Sequence, residues 1–136
     1  MAKRLSDQER VMFDLFVREN PCCWSCGWQM GKQKVAPDYA APVKLENHHV
    51  VGGSGRKHLR ENLARLCSIC HRIFHGDRIR LDNGELIPEI NLSHVLYMKR
   101  LHDPEWYDVE VLNNLAIGVM PDPEKPDTYF GGCDVH

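Results

Sequence analysis

The sequence contains no apolar run approaching the ~20 residues that a membrane-spanning helix needs, and it shows no internal repeat. Its first residues, 1–7, lead into a polar and acidic stretch instead of the apolar segment of a secretion signal. With 136 residues, the chain is also too short for several enzymatic domains. We therefore expect one modest domain with no membrane partner and a cytoplasmic location.

The chain also lacks an overall excess of positive charge, which would ordinarily count against a nucleic-acid partner. Its formal net charge is −2, and its pI is about 6.4. The charge is unevenly distributed, however, with a local sum of +5 over residues 52–80 and −7 over residues 103–136. A basic middle followed by an acidic end is compatible with a solvated surface or with a polyanion bound by the middle segment.

Cysteine is abundant, with six residues, and four of these form two C-x-x-C pairs: Cys23 with Cys26, and Cys67 with Cys70. Each pair can present two thiolates from a tight turn to one tetrahedral ion, so together they predict a structural zinc site. Two disulfides are the alternative, but the expected reducing compartment favours metal ligation. Cys22 could replace Cys23 at a longer spacing, although the matched two-residue spacing favours Cys23. Cys133 has no partner at ligand spacing and receives no role.

The first part of the chain predicts one amphipathic helix and then an irregular connection. Ser6 and Glu9 form a capping-box pattern ahead of apolar residues at helical spacing, which predicts a helix over 7–19. This helix makes up an N-terminal unit of residues 1–20. Glycine and proline without clear periodicity predict an irregular segment over 27–42.

The central part, residues 21–78, predicts a strand over 43–51 and a second strand over 63–66, joined by a glycine-rich loop. A helix capped by Ser68 is predicted to follow and to run through His71 and His75. The order strand, loop, strand, helix indicates an α+β domain.

The following residues, 79–120, are predicted to extend the same domain with a hairpin and two helices. An Asp-Asn-Gly turn at 82–84 predicts the hairpin. Apolar residues at helical spacing over 92–101 predict one helix, and Asp103 as N-cap predicts another that runs to about Leu115. Prolines and acidic residues over 121–136 predict an extended, mobile tail.

Residues that can carry chemistry lie between and just after the cysteine pairs: His48, His49, Asn62, His71 and His75. Adjacent histidines on a strand point to opposite faces, so the first two should serve different functions. His71 and His75 lie at i, i+4 on a helix and can hold one metal ion, with surface histidines beside a zinc knuckle as the alternative. A buried amide such as that of Asn62 can hold a loop and fix an imidazole by hydrogen bonds.

These residues resemble the signature of the HNH endonucleases, which reads His-His or Asp-His, then Asn, then His. The match runs over residues 22–76 and includes the two C-x-x-C pairs of the family's zinc-stabilised branch. The resemblance implies an α+β fold with a small ββα-metal (His-Me finger) core over residues 21–78. In such a fold the four-cysteine zinc site stabilises the core, and helices flank it.

The resemblance also implies a role for each matching residue. His49 is the general base, Asn62 is the amide that orients the loop of the base, and His48 and His71 ligate a catalytic divalent metal. His75 is expected as a third ligand, with contact to a phosphate as the alternative. Because His48 stands where many relatives have aspartate, the metal remains open among Mg²⁺, Mn²⁺, Ni²⁺ and Zn²⁺.

The function implied is hydrolysis of phosphodiester bonds in double-stranded DNA, by nicking or by cleavage of both strands, in a bacterial or phage-infected cell. Four basic residues are expected to hold DNA phosphates: Arg56, Lys57, Arg60 and Arg72. The oligomeric state remains open. The main alternative is a non-catalytic zinc-ribbon module that binds nucleic acid, which explains the cysteines but not the histidines. A thiol redox protein is disfavoured by the second C-x-x-C pair and by the lack of a βαβ pattern.

Overall fold

The computed structural model describes residues 6–30, 42–52, 59–81 and 83–126. Within these ranges the chain combines helices with one two-stranded antiparallel sheet, so the fold is mixed α and β. No helix in the described ranges is long and apolar enough to cross a membrane. The elements in chain order are α1 (Asp7–Glu19), β1 (Leu45–His49), a 3₁₀ turn (Arg60–Asn62), β2 (Leu63–Cys67), α2 (Ser68–Phe74), α3 (Leu92–His102), a second 3₁₀ turn (Pro104–Trp106) and α4 (Val109–Ala116).

The predicted first helix is confirmed at both ends. The Ser6 hydroxyl accepts from the Glu9 amide at 3.1 Å, and the Glu9 carboxylate accepts from the Ser6 amide at 3.0 Å, so both halves of the capping box form. Phe16 is fully buried and meets the Trp24 ring edge-on. Asn20 donates to the Phe16 carbonyl and accepts from the Trp24 indole. These bonds fix the end of α1 to the segment that carries the first cysteine pair.

The sheet lies where the sequence predicts it, although β1 is shorter than the expected 43–51. The strands pair antiparallel, with His48 opposite Ala64 and His49 opposite Leu63. All five residues of β2 are buried, because both α2 and α3 pack against this strand. In β1 only His48 is fully buried. The sheet therefore places one histidine of the adjacent pair in the interior.

Helix α2 begins one residue earlier than a Ser68 cap would give. Its N-cap is Cys67, whose thiol accepts a bond from the Cys70 amide. Ser68 instead exchanges bonds with the backbone of Lys44, just before β1, at 2.7 and 3.2 Å. The helix ends at Phe74, and His75 is its C-cap residue. The last turn of α2 therefore carries the histidine pair.

The hairpin prediction is confirmed in its described part. Arg80 and Leu86 form a bridge, and Gly84 makes the turn with a φ of 89°. Asp82 of the predicted turn lies outside the described residues. A positive φ of this size strains any residue with a Cβ atom, so glycine suits this position.

The second C-terminal helix differs from the prediction. Instead of one helix capped by Asp103, the chain forms the short 3₁₀ turn and then α4, whose N-cap is Asp108. The Asp108 carboxylate accepts from the Val111 amide, whereas Asp103 makes no cap bond with its side chain. The physical reason is that Asp103 binds two buried cations.

These cations form a buried charge cluster between the first 3₁₀ turn and α3. The Asp103 carboxylate accepts from Arg60 at 2.8 and 3.3 Å and from Lys99 at 2.8 Å, while Arg60 also binds Glu19 at 2.6 Å. Burial lowers the pKa of Lys99 from 10.5 to about 8, against the opposing effect of Asp103, so Lys99 stays charged at neutral pH. Arg60 is only 6% exposed. Arg60, which the sequence analysis expects to hold a DNA phosphate, therefore lies in the interior, where two carboxylates neutralise its guanidinium.

Removing the central carboxylate should be costly. We expect Asp103→Ala to lower the free energy of unfolding by about 3–5 kcal/mol, because it leaves two buried cations without their shared partner. Urea denaturation of the zinc-loaded protein measures this change. Glu19→Ala is the matched control, since Glu19 is half exposed and its pair with Arg60 should contribute about 1 kcal/mol or less. Equally small losses in both variants would contradict the prediction.

The described part of the acidic tail, residues 121–126, has no regular structure but is attached to the domain. The Glu124 amide donates to the Ser93 carbonyl in α3 at 3.0 Å, and Pro126 is buried. Just before the tail, the Met120 amide donates to the Asn113 side chain at 2.7 Å. The rest of the predicted mobile tail, 127–136, lies outside the described residues.

Candidate metal centres

The two predicted cysteine pairs meet in one cluster. Its ligand atoms all lie within 4.8 Å of one another and belong to Cys23, Cys26, Cys67 and Cys70. The first pair lies in a tight turn closed by the bond from the Gly27 amide to the Cys23 carbonyl at 2.9 Å, with Gly27 at a φ of 77°. The second pair lies at the end of β2 and in the first turn of α2. The cluster therefore connects the segment after α1 to both the sheet and α2.

The geometry of these sulfur atoms suits zinc. The Cys26 and Cys67 sulfur atoms are 3.8 Å apart, close to the edge of about 3.8 Å in a tetrahedron with zinc–sulfur bonds of ~2.3 Å. None of the four cysteines forms a disulfide, so the alternative of two disulfides between these pairs is wrong. Backbone amides donate to the Cys23 and Cys67 sulfur atoms at 3.5 Å. The cluster could thus hold a structural zinc ion.

The thiols have unequal acidity without a metal. Burial is the main cause that raises the pKa of Cys23, and hydrogen bonds, first of all with Cys23, raise that of Cys70. The pKa of Cys67 falls to about 7, mainly because of its hydrogen bond with Cys23. Zinc binding would therefore have to release protons from the buried thiols, which makes the affinity depend on pH.

Neither remaining cysteine joins this cluster. Cys22 is fully buried and disulfide-bonded, so it cannot replace Cys23 as a ligand. Cys133 lies outside the described residues.

A second cluster consists of three histidines, His48 from β1 and His71 and His75 from α2. One ligand atom from each lies within 4.8 Å of the others. The Nε2 atoms of His71 and His75 are 3.1 Å apart, and the His48 ring centroid is 4.5 Å from that of His71 and 5.8 Å from that of His75. Three imidazoles in this arrangement could hold one ion and leave coordination positions open.

The side-chain alternation along β1 and the helical turn of α2 bring these rings together. Residues 46 and 48 share one face of β1, and residues 71 and 75 share one face of α2, which packs against that strand. The Phe74 ring meets His48 edge-on with centroids 4.5 Å apart, which covers the buried imidazole. His48 is buried, His71 is partly exposed and His75 is exposed. The cluster thus runs from the interior to the surface.

The buried histidine has an unsatisfied ring nitrogen. The Nε2 atom of His48 has no hydrogen-bond partner within the described residues, although burying such an atom alone costs free energy. Burial, followed by the charges of His71, His75 and His49, lowers the pKa of His48 from 6.5 to about 3. The ring is therefore neutral near pH 7 and carries a lone pair. A metal ion is a partner that fits both observations.

The residues His49 and Asn62 lie next to this cluster without belonging to it. The Asn62 side chain is fully buried, accepts from the Val51 amide at 2.8 Å and donates to the Val51 carbonyl at 3.1 Å. Its own carbonyl accepts from the Val50 amide. Asn62 therefore holds the segment directly after His49, the histidine expected to be the base.

Glu46 is a site residue that the sequence analysis missed. Its carboxylate oxygen lies 3.1 Å from Nδ1 of His71. The alternation of a strand could have identified it, because residue 46 lies on the same face of β1 as His48.

The structure describes only two of the four basic residues predicted to hold DNA. Arg56 and Lys57 lie outside the described residues, and Arg60 is buried in the charge cluster. Arg72 is exposed on α2, but its guanidinium makes an ion pair of 2.7 Å with Asp77. Within the described ranges, Arg72 is therefore the one candidate of the four with an accessible guanidinium.

Comparison of the chain with protein-family models, curated proteins and solved structures finds no match. The resemblance to HNH endonucleases therefore depends on the sequence residues quoted above.

Proposed function

We propose that this protein is a metal-dependent endonuclease of the HNH type that hydrolyses phosphodiester bonds in DNA. In this proposal β1, β2 and α2 form the ββα-metal unit, and the four-cysteine cluster stabilises it. The observation that carries the proposal is the cluster of three imidazoles, in which the buried ring of His48 also has an Nε2 atom without a hydrogen-bond partner among the described residues. A structural zinc module alone has no need for this second cluster.

The ligand set fits a catalytic divalent ion. Three imidazole ligands suit Mn²⁺, Ni²⁺ or Zn²⁺ better than Mg²⁺, which prefers oxygen ligands. When bound, such an ion would supply positive charge to the scissile phosphate and to the leaving oxygen. His48, His71 and His75 would hold it at the boundary between interior and surface, where a phosphate has access.

The remaining roles belong to His49 and Asn62. An imidazole has an ordinary pKa of ~6.5, so near neutral pH it can accept a proton from the attacking water. His49 is the candidate base, because it stands where the HNH signature has its general base. Asn62 would keep its loop in position through its two bonds to Val51. Arg72 could contact a flanking phosphate if DNA displaced Asp77 from its ion pair.

A second candidate function is a zinc module that binds nucleic acid without cleaving it. The four-cysteine cluster favours this candidate as much as it favours the nuclease. The two are separated by incubating supercoiled plasmid with the zinc-loaded protein and Mg²⁺, Mn²⁺, Ni²⁺ or Zn²⁺, each with and without chelator. We expect nicked or linear plasmid that depends on the added ion. DNA binding without any cleavage would support the module.

The variant His75→Ala tests the histidine cluster itself. We expect weaker binding of the activating metal ion. Cleavage should therefore fall at low metal concentration and partly recover at high concentration, while the zinc of the cysteine cluster remains bound. Metal titration of plasmid cleavage at fixed ionic strength measures the shift. Arg72→Ala, on the same helix, is the control and should change the salt dependence instead. An activation midpoint equal to the parent's would rule out His75 as a ligand.

A further inference from the structure

We infer that Glu46 is a positioning residue, which fixes the ring of His71 so that its Nε2 atom faces the metal. This inference rests on the proposed metal centre and assigns a role to a residue outside the ligand set. The observation behind it is the 3.1 Å contact between the Glu46 carboxylate and Nδ1 of His71.

The two ring nitrogens of His71 have different surroundings. Nδ1 faces a carboxylate, which can only accept a hydrogen bond, so this nitrogen must carry the proton. Nε2 lies 3.1 Å from Nε2 of His75, and both rings belong to the three-histidine cluster. The carboxylate therefore selects the tautomer whose lone pair is on Nε2, the atom that a metal would bind.

The position of Glu46 explains how it can do this without being a ligand. It lies two residues before His48 on β1, directly opposite Leu66 of β2, so the strand pairing holds its backbone. Both partners are only partly exposed, with 32% of the Glu46 side chain and 24% of the His71 side chain accessible. Glu46 is not part of the cluster whose ligand atoms lie within 4.8 Å. A carboxylate bound to the distal nitrogen of a metal-ligating histidine fixes its orientation and raises its basicity.

The test is a calorimetric titration of the zinc-loaded protein with Ni²⁺, carried out on the parent and on three variants. We expect Glu46→Ala to weaken Ni²⁺ binding by about 10–100-fold. Glu46→Gln keeps an oxygen that can accept from Nδ1 and should recover most of this loss. Asn47→Ala is the matched control, because Asn47 is the next residue on the strand and binds Arg65 at 2.7 Å instead of a histidine. Its Ni²⁺ affinity should equal the parent's.

¹⁵N NMR of the histidine rings, recorded before Ni²⁺ is added, distinguishes tautomer selection by Glu46 from a purely structural role of this residue. The parent should show His71 with its proton on Nδ1, and Glu46→Ala should show a mixture of tautomers at unchanged zinc content. Equal Ni²⁺ affinity in the parent and in Glu46→Ala would overturn the role of Glu46 alone. A parent that binds no Ni²⁺ would overturn both this inference and the proposed metal centre. Ni²⁺ binding that is weakened in Glu46→Ala supports the inference even if plasmid is not cleaved.

Discussion

Replacing Cys67 with serine should release the zinc and unfold the central part of the protein. Cys67 is fully buried, and its sulfur belongs to the four-cysteine cluster and also caps α2 by accepting from the Cys70 amide. A structural zinc ion contributes about 10 kcal/mol or more to a small unit, whereas a whole domain has a net stability of only about 5–15 kcal/mol. The loss of one ligand therefore removes an amount comparable to the total stability.

The measurements are zinc content by metal analysis and thermal unfolding followed by circular dichroism. Ser25→Ala is the matched control, because Ser25 is buried in the same turn as the first cysteine pair but has no ligand atom in the cluster. It should retain one zinc ion per chain. A soluble Cys67→Ser protein with the parent's zinc content and melting temperature would rule out Cys67 as a ligand of a structural zinc ion.

The consequences should extend to the histidine cluster. His71 directly follows Cys70 on α2, and β2 leads from Asn62 to Cys67. The cysteine cluster therefore sets the position of α2 relative to the sheet. Since His48 lies on the sheet and His75 is the C-cap of α2, loss of zinc should also abolish metal binding by the histidines.

Features set by neighbours in the sequence could be predicted. The start of α1 follows from a capping box that both partners complete within four residues, and the two C-x-x-C turns follow from their spacing. The strand pair could also be located from neighbouring residues, because a run of strand-forming residues lies on each side of a glycine-rich loop. Its ends could not, because Val50 leaves the strand to bond the Asn62 carbonyl.

Features that depend on distant partners could not be predicted. Arg60 and Asp103 are far apart in the chain, and nothing local indicates that they neutralise each other in the interior. This one ion pair places Arg60 in the interior and explains why the Asp103 side chain makes no helix cap bond. Cys67 was overlooked as an N-cap because a serine, the more common capping residue, directly follows it.

The second large effect is expected for His49→Ala, which should lower plasmid cleavage by about 10²-fold or more. In the proposed mechanism this imidazole accepts the proton of the attacking water, and no other residue replaces it. Metal affinity should persist, because the three-histidine cluster does not include His49. His48→Ala is the comparison variant and should lose both metal binding and cleavage.

Added imidazole distinguishes a missing base from a disturbed fold. If His49 acts as the base, imidazole in the buffer should partly restore cleavage by His49→Ala, and the restored rate should follow the concentration of its neutral form. DNA affinity at fixed salt and Ni²⁺ affinity serve as controls, and both should match the parent's. Cleavage by His49→Ala at the parent rate would show that another group is the base, and the role of His49 would then have to be abandoned.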